Sequence, residues 1–197
     1  MAKFTSIAEP TTALYKEKGS KFLAFAFPVQ NLEEINARLE ELRIAHPKAR
    51  HHCYAYKLGT SHPIMKANDD GEPSNSAGTP ILNQIRSAEL TNILVVVVRY
   101  FGGTKLGIPG LIQAYKTAAA DSLKIAILAE DFEKEQIALL TTYHKLSELQ
   151  NFLKKRNVIV VAQEFNDTCI LRAAVAIEDA SNLKKKLLQL PFIQILP

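Results

Sequence analysis

The run Ile93–Val98, ILVVVV, is the feature that most constrains what this chain can fold into. Six consecutive apolar residues, four of them valine, predict a β-strand that is buried on both faces. The run is far too short to cross a membrane. With 197 residues, 47% of them hydrophobic, the chain is long enough for one large domain or two small ones with a substantial core.

The pattern around this strand predicts a mixed α/β domain. Before it, Gly19 marks the turn of a hairpin and Asn31 is a helix N-cap. The expected elements are strands at 11–15, 21–29 and 51–58, a helix from Leu32, a loop at 66–78, a short helix opened by Thr79 and Pro80 that runs to Leu90, and a long helix from Pro109 to about Leu128.

A charged segment, DFEKE at 131–135, is the expected domain boundary. The pattern after it has the order β-α-β-β-α-β, which is typical of the ferredoxin-like fold. The fold class is therefore α+β with two domains, an N-terminal α/β sandwich at residues 1–131 and a ferredoxin-like domain at residues 132–197.

Charge and cysteine content narrow the class of protein only modestly. Residues 1–133 carry 15 basic and 14 acidic side chains, and residues 134–197 carry 9 and 6, so the second part has a net charge of +3. This balance permits a polyanionic partner without requiring one. Cys53 and Cys169 are expected to be reduced, and the N-terminus shows no secretion signal or membrane segment, so we expect a cytoplasmic location.

A glycine-rich turn between the valine strand and the long helix predicts an anion-binding site. Glycine backbones can align successive N–H groups, and a helix N-terminus adds partial positive charge. The glycine spacing fits neither a Walker A loop nor a dinucleotide fingerprint. A turn that only lets the helix pack tightly on the sheet is the alternative. The candidate residues for anion or nucleic-acid binding are Arg99, Tyr100, Gly102, Gly103, Lys105, Gly107, Gly110 and Tyr115.

An acidic loop precedes the short helix and is expected to line the same cleft. Its candidate residues are Asp69, Asp70, Glu72 and Ser74. Three carboxylates this close suit a hard cation such as magnesium, a solvated turn, or pairing with Arg99 and Lys105. We assign no metal site and no cofactor here, and the sequence contains no recognisable catalytic constellation.

Four segments together resemble the IMPACT family, in particular its bacterial two-domain, YigZ-like members. They are KGSKFLAFAFPV at 18–29, HHCYAYKLG at 51–59, DDGEPSNSAGTPIL at 69–82 and LTNILVVVVRYFGGTKLGIPGLIQAY at 90–115. The resemblance implies that the first domain shares the fold of a small-subunit ribosomal protein's second domain and of the fourth domain of elongation factor G. It implies that the second domain resembles the fifth domain of that factor.

The resemblance also implies a link to translation, because the two domains have the tandem order of a ribosome-binding factor. Eukaryotic relatives regulate a stress kinase that acts on translation initiation, but they do so through an additional N-terminal domain, so that partner is not transferred. We therefore expect an RNA-binding or ribosome-binding regulatory protein. Two alternatives stay open: an enzyme acting on a phosphate-bearing or peptide substrate, and a protein-interaction module without a ligand.

Overall fold

A computed structural model describes residues 3–60, 62–132 and 134–196. The chain divides into two compact units, one from Lys3 to Asp131 and the other from Phe132 onward. The elements of the first unit are β1 (Lys3–Ile7), β2 (Thr11–Glu17), β3 (Ser20–Pro28), α1 (Leu32–Ala45), β4 (His51–Leu58), β5 (Ile64–Asn68), α2 (Gly78–Ser87), β6 (Ile93–Tyr100) and α3 (Gly107–Lys124). β7 (Leu128–Phe132) ends at the unit boundary and pairs with β1 in a two-stranded sheet.

β6 lies at the centre of a five-stranded antiparallel sheet in the order β2-β3-β6-β4-β5. Its side chains alternate between two cores, since successive residues of a strand point to opposite faces. Ile93, Val95 and Val97 pack with α2 and α3, whereas Leu94, Val96 and Val98 pack on the face that α1 covers. The prediction of a strand buried on both faces is confirmed.

Local signals account for α1 and for the hairpin that precedes it. The Asn31 side chain accepts a hydrogen bond from the Glu34 amide at 2.9 Å, and the Glu34 carboxylate accepts one from the Gln30 amide at 2.9 Å. This reciprocal capping satisfies two amides at the helix start. In the β2–β3 turn, Lys18 and Gly19 both have positive φ, 45° and 79°, as a tight two-residue hairpin turn requires.

Several predicted boundaries in the first unit are wrong. Ile64–Asn68 forms strand β5 at the sheet edge, although the composition of 66–78 predicts a loop. Helix α3 ends at Lys124 instead of Leu128, because the next residues enter β7 and pair with β1. Both errors have one cause: the strand partners are distant in sequence, and local composition does not reveal them.

The second unit contains β8 (Lys134–Thr141), α4 (Tyr143–Lys154), β9 (Ile159–Phe165), β10 (Cys169–Ala176), α5 (Ile177–Leu187) and β11 (Gln194–Ile195). Its sheet has the strand order β11-β8-β10-β9, and its neighbouring strands are antiparallel. The predicted β-α-β-β-α-β order is confirmed. Among the described residues, no helix of either unit is long and apolar enough to span a membrane.

We expect His52 to make the stability of the first unit depend on pH. Its ring is buried, its Nε2 atom has no hydrogen-bond partner among the described residues, and the Asp70 carboxylate lies 4.0 Å from Nδ1. Burial lowers the pKa of His52 and outweighs the opposite effect of Asp70, while Arg43 and His46 lower the pKa further. The folded protein therefore holds His52 neutral under conditions in which the unfolded chain begins to protonate it.

We expect the free energy of unfolding to decrease as the pH falls from about 6.5, the ordinary pKa of histidine, toward the lower folded value. His52 alone can contribute a slope of at most about 1.4 kcal/mol per pH unit, because the unfolded state binds one more proton. Urea denaturation at several pH values measures this slope. His52→Gln should flatten it, and the exposed control His144→Gln should leave it as in the wild type. Equal slopes for His52→Gln and the wild type would contradict the assignment.

Candidate anion-binding turn

Residues Phe101–Leu106 form the turn that connects the central strand β6 to helix α3. Its entry is fixed by a backbone crossing with the β2–β3 hairpin. The Gly102 amide donates a hydrogen bond to Ser20 Oγ at 3.1 Å. A β-carbon at Gly102 would overlap the backbone of Gly19 and Ser20, and one at Gly19 would lie 2.7 Å from the Gly102 carbonyl oxygen. The two glycines thus allow the chains to cross in direct backbone contact.

Gly103 has a different role from Gly102. Its φ is +90°, and no atom of the described residues lies within 4 Å of the position that a β-carbon would occupy. The backbone conformation therefore favours glycine, while the space beside it is open. Gly102 is thus needed for close packing, in agreement with the alternative that the turn only lets the helix pack tightly. Gly103 instead belongs to an exposed part of the turn.

Three consecutive amides of this turn, those after Gly102, have no hydrogen-bond partner among the described residues. Within the part of the chain that the structure describes, no hydrogen bond involves the amides of Gly103, Thr104 or Lys105. Helix α3 begins at Gly107 with Leu106 as its N-cap, without a side-chain cap and without an acidic residue in its first turn. Its N-terminal amides and the positive end of its dipole are therefore not neutralised by a carboxylate.

Two exposed lysines flank these amides. Lys105 lies in the turn itself, and Lys18 precedes Gly19 at the tip of the hairpin that crosses Gly102. Lys18 is absent from the sequence-based site, although the composition of 16–21, KEKGSK, carries three lysines around the turn. The antiparallel pairing of β3 with β6, which places Lys21 opposite Tyr100, and the crossing of the two glycines bring this segment to the anion-binding turn.

Arg99 lies in a buried network rather than on the surface of the turn. Its Nη1 atom is 2.6 Å from Glu72 Oε1, and the side chains of the two residues are only 7% and 4% exposed. Tyr115 donates a hydrogen bond to the same Glu72 oxygen at 2.8 Å. The network therefore joins β6, the acidic loop and helix α3.

Cys53 extends this network into the core. Its sulfur lies 3.3 Å from the Tyr115 hydroxyl and 3.0 Å from the backbone oxygen of Asp69. Burial raises the pKa of the Cys53 thiol and that of the Tyr115 hydroxyl far above their ordinary values. Both groups stay protonated as hydrogen-bond donors, which does not suit a nucleophilic role for Cys53.

The remaining members of the acidic loop bind backbone amides. Asp69 accepts hydrogen bonds from Asn75, Ala77 and Gly78 at 2.8–2.9 Å, and so caps the start of α2. The predicted cap at Thr79 and Pro80 is therefore wrong: α2 begins at Gly78, and a carboxylate from the preceding loop supplies the cap.

The Asp70 carboxylate accepts a hydrogen bond from the His52 amide at 2.6 Å, and this bond connects the acidic loop to strand β4 of the sheet. Ser74 is exposed, and its hydroxyl accepts a hydrogen bond from the Asn75 amide group at 3.3 Å. Because these side chains have separate partners, they do not converge on one point. Among the described residues, no group of three histidine, cysteine or acidic side chains is arranged to hold a metal ion.

The structure brings the predicted site residues together only in part. Gly102, Gly103, Lys105 and Gly107 line the turn, and Gly110 follows in the first turns of α3. Tyr100 points to the opposite face of the sheet, where its hydroxyl lies 2.9 Å from His46 Nδ1. Anion binding by Arg99 and Tyr115 stays a prediction, and such contact requires that Glu72 give up its present partners.

The fold and this site define a two-unit α+β protein with a glycine-rich strand-to-helix turn. The family model of the Impact N-terminal domain matches residues 18–123. The chain is 30% identical to IMPACT family member YigZ of Escherichia coli (strain K12), over 91% of this chain and 89% of that protein. It therefore belongs to the IMPACT family.

Two further comparisons extend this likeness. The chain is 39% identical to a Thermus thermophilus protein named IMPACT family member in pol 5'region, over 71% of this chain and 74% of that one. A crystal structure described as that of a hypothetical protein is similar over 100% of this chain and 97% of its own, with 28% identity and a TM-score of 0.73.

The two adjacent turn glycines should respond differently to alanine. We expect Gly103→Ala to lower the free energy of unfolding by about 1–2 kcal/mol, the usual cost of a non-glycine residue in a left-handed backbone conformation. Gly102→Ala should cost more, because its β-carbon has to displace the Gly19–Ser20 backbone. Chemical denaturation of both variants tests this order, and a smaller cost for Gly102→Ala would exclude the backbone crossing.

Removing one partner of the buried ion pair should be strongly destabilising. Glu72→Ala leaves the Arg99 charge buried without a counter-ion, for which we expect a cost of about 3–5 kcal/mol. The matched control is Glu164→Ala, which breaks an ion pair with Arg172 whose side chains are both 48% exposed. That variant should lose less than about 1 kcal/mol in the same denaturation assay. Similar losses for both would contradict the burial of Arg99.

Proposed function

We propose that this protein binds RNA in a translation-linked role and that RNA phosphates bind at the glycine turn. The observation that carries the proposal is the set of amides from Gly103 to Lys105, which lie in exposed residues and have no hydrogen-bond partner among the described residues. They lie beside the exposed Lys105 side chain and the start of α3, which has no side-chain cap. Backbone amides that point outward from a turn, together with a helix N-terminus, favour a bound phosphate.

The electrostatics of the surrounding residues support the same assignment. The charge of Arg99 is matched by Glu72, so Lys105 and Lys18 supply the accessible positive charge at the turn. Gly103 leaves open space beside the amides, which lets a phosphate oxygen approach the backbone. Contacts to the backbone of a nucleic acid fix its position without selecting a base sequence.

RNA of the translation machinery is the favoured ligand because of the tandem organisation. A ferredoxin-like unit with a net charge of +3 from residue 134 onward follows the unit that carries the turn. The family resemblance associates this order of domains with a ribosome-binding factor. A fold-level analogy is weaker support than the chemistry of the turn, so the test addresses the turn directly.

We expect the full-length protein to bind RNA with an affinity that falls steeply as salt is added, because counterions are released from the phosphates. Lys105→Ala should weaken binding and reduce the salt slope by about one, and Lys18→Ala should add to the effect. Fluorescence anisotropy with a labelled RNA at several salt concentrations measures both quantities. The matched control is Lys124→Ala, an exposed lysine at the opposite end of the same helix α3.

Two results would overturn the proposal. One is the absence of RNA binding by the wild type at low salt, and the other is an equal loss in Lys105→Ala and Lys124→Ala. The second result would attribute binding to diffuse positive charge instead of to the turn. Thermal unfolding of each variant checks that a loss of binding does not reflect a loss of folding.

A further inference from the structure

We propose that the second unit contains a binding cavity for a small phosphate ester, independent of the glycine turn. A cavity of about 420 Å³ lies where the α4–β9 turn, the end of β10 and helix α5 meet. The described residues that line it all belong to the unit that begins at Phe132. Its volume falls in the range of small-molecule sites, roughly 300–1,000 Å³.

The floor of this cavity is apolar. Val158, Val175 and Leu183 line it, and each is less than a tenth exposed. They come from three different elements: the segment before β9, strand β10 and helix α5. An apolar floor of this kind favours the organic part of a ligand over a fully hydrated ion.

Cationic side chains lie on the rim of the cavity. Among the described lining residues, Lys134, Arg156 and Lys186 are cationic and Asp179 is the single carboxylate. Arg156 is held in place, because its Nη1 donates to the Phe152 backbone oxygen at 3.0 Å and its guanidinium carbon lies 3.6 Å from the centre of the Phe152 ring. A guanidinium that is already positioned loses little freedom when it binds an anion.

Two asparagine side chains complete the rim. Asn157 has a left-handed backbone, with φ of 54°, where helix α4 ends and Val158 donates a hydrogen bond back to the Leu153 oxygen at 3.1 Å. Glycine is the common residue at this position of a helix end, so asparagine here adds an amide to the cavity without changing the turn. Asn182 of α5 supplies a second amide.

These features together define the ligand class. Arg156 and Lys186 provide positive charge for a phosphate dianion, and the guanidinium and amide groups donate to its oxygens. The organic part of the ester lies over the apolar floor, while Asp179 accepts hydrogen bonds from its hydroxyl or N–H groups. A nucleoside monophosphate has all of these parts and is therefore a suitable probe.

The cavity also gives separate roles to two lysine-rich segments of the sequence. The cluster Lys154–Arg156 and the triplet Lys184–Lys186 each contribute one member, Arg156 and Lys186. Lys184 is paired with Glu135 at 2.5 Å, and Lys154 and Lys185 are exposed outside the cavity. The neighbouring lysines therefore provide matched controls with the same charge and similar exposure.

The test is calorimetric titration of the full-length protein with AMP, adenosine and inorganic phosphate. We expect AMP to bind more tightly than either adenosine or phosphate, because only AMP engages both the cationic rim and the apolar floor. Arg156→Ala and Lys186→Ala should each weaken AMP binding at least tenfold. The controls Lys154→Ala and Lys185→Ala should leave it unchanged, and Asn157→Gly should weaken it while preserving the turn.

Several outcomes would overturn the proposal: no AMP binding at millimolar concentration, equal binding of adenosine or phosphate, or an equal loss in the control variants. NMR shifts of the wild type on adding AMP give a second test that does not depend on a variant, and they should be confined to residues 156–159, 174–176 and 179–186. Lys105→Ala should bind AMP like the wild type, so failure here and failure of RNA binding at the turn are distinguishable.

Discussion

The ion pair between Glu72 and Arg99 is the interaction on which the arrangement of the first unit depends. It joins the end of the central strand to the acidic loop, and Tyr115 connects the same carboxylate to helix α3. Two charges this deeply buried require each other, because either one alone would remain desolvated. The Arg99 guanidinium also lies 5.5 Å from the centre of the Phe22 ring and 5.7 Å from that of Phe101.

Because Arg99 is paired with Glu72, it helps to position the glycine turn, and other groups are left to bind a ligand there. If Arg99 were unpaired, its guanidinium on strand β6 would be the strongest positive charge near the turn. Since Glu72 neutralises it, accessible charge is left to lysines on flexible stems and to the partial charges of backbone amides. Such a surface suits a ligand with many equivalent phosphates better than it suits one small anion, which needs several fixed hydrogen-bond donors around it.

Features that local chemistry controls could be predicted from the sequence. The valine run identifies the buried central strand, Asn31 identifies the start of α1, and the order of elements after residue 131 identifies the ferredoxin-like unit. Features that depend on distant partners could not. Asp69 caps a helix that begins nine residues later, and β7 pairs with a strand at the other end of the first unit.

The residues of the candidate site also divide into those that local sequence predicts and those that depend on distant partners. Its glycines and Lys105 are adjacent in sequence and form one turn, so they could be assigned together. The partner of Arg99 is 27 residues away and was one of several alternatives for the acidic loop. Lys18 was missed because the hairpin reaches the turn through residues that are distant in sequence: β3 pairs with β6, and Ser20 is bonded to Gly102, 82 residues away.

The crossing of Gly19 and Gly102 couples the hairpin tip to the glycine turn. Neither backbone segment can move toward the other without displacing it, because the two backbones are in direct contact and no side chain lies between them. We therefore expect a reporter group attached at the hairpin tip to sense events at the start of α3, although the two segments are far apart along the chain.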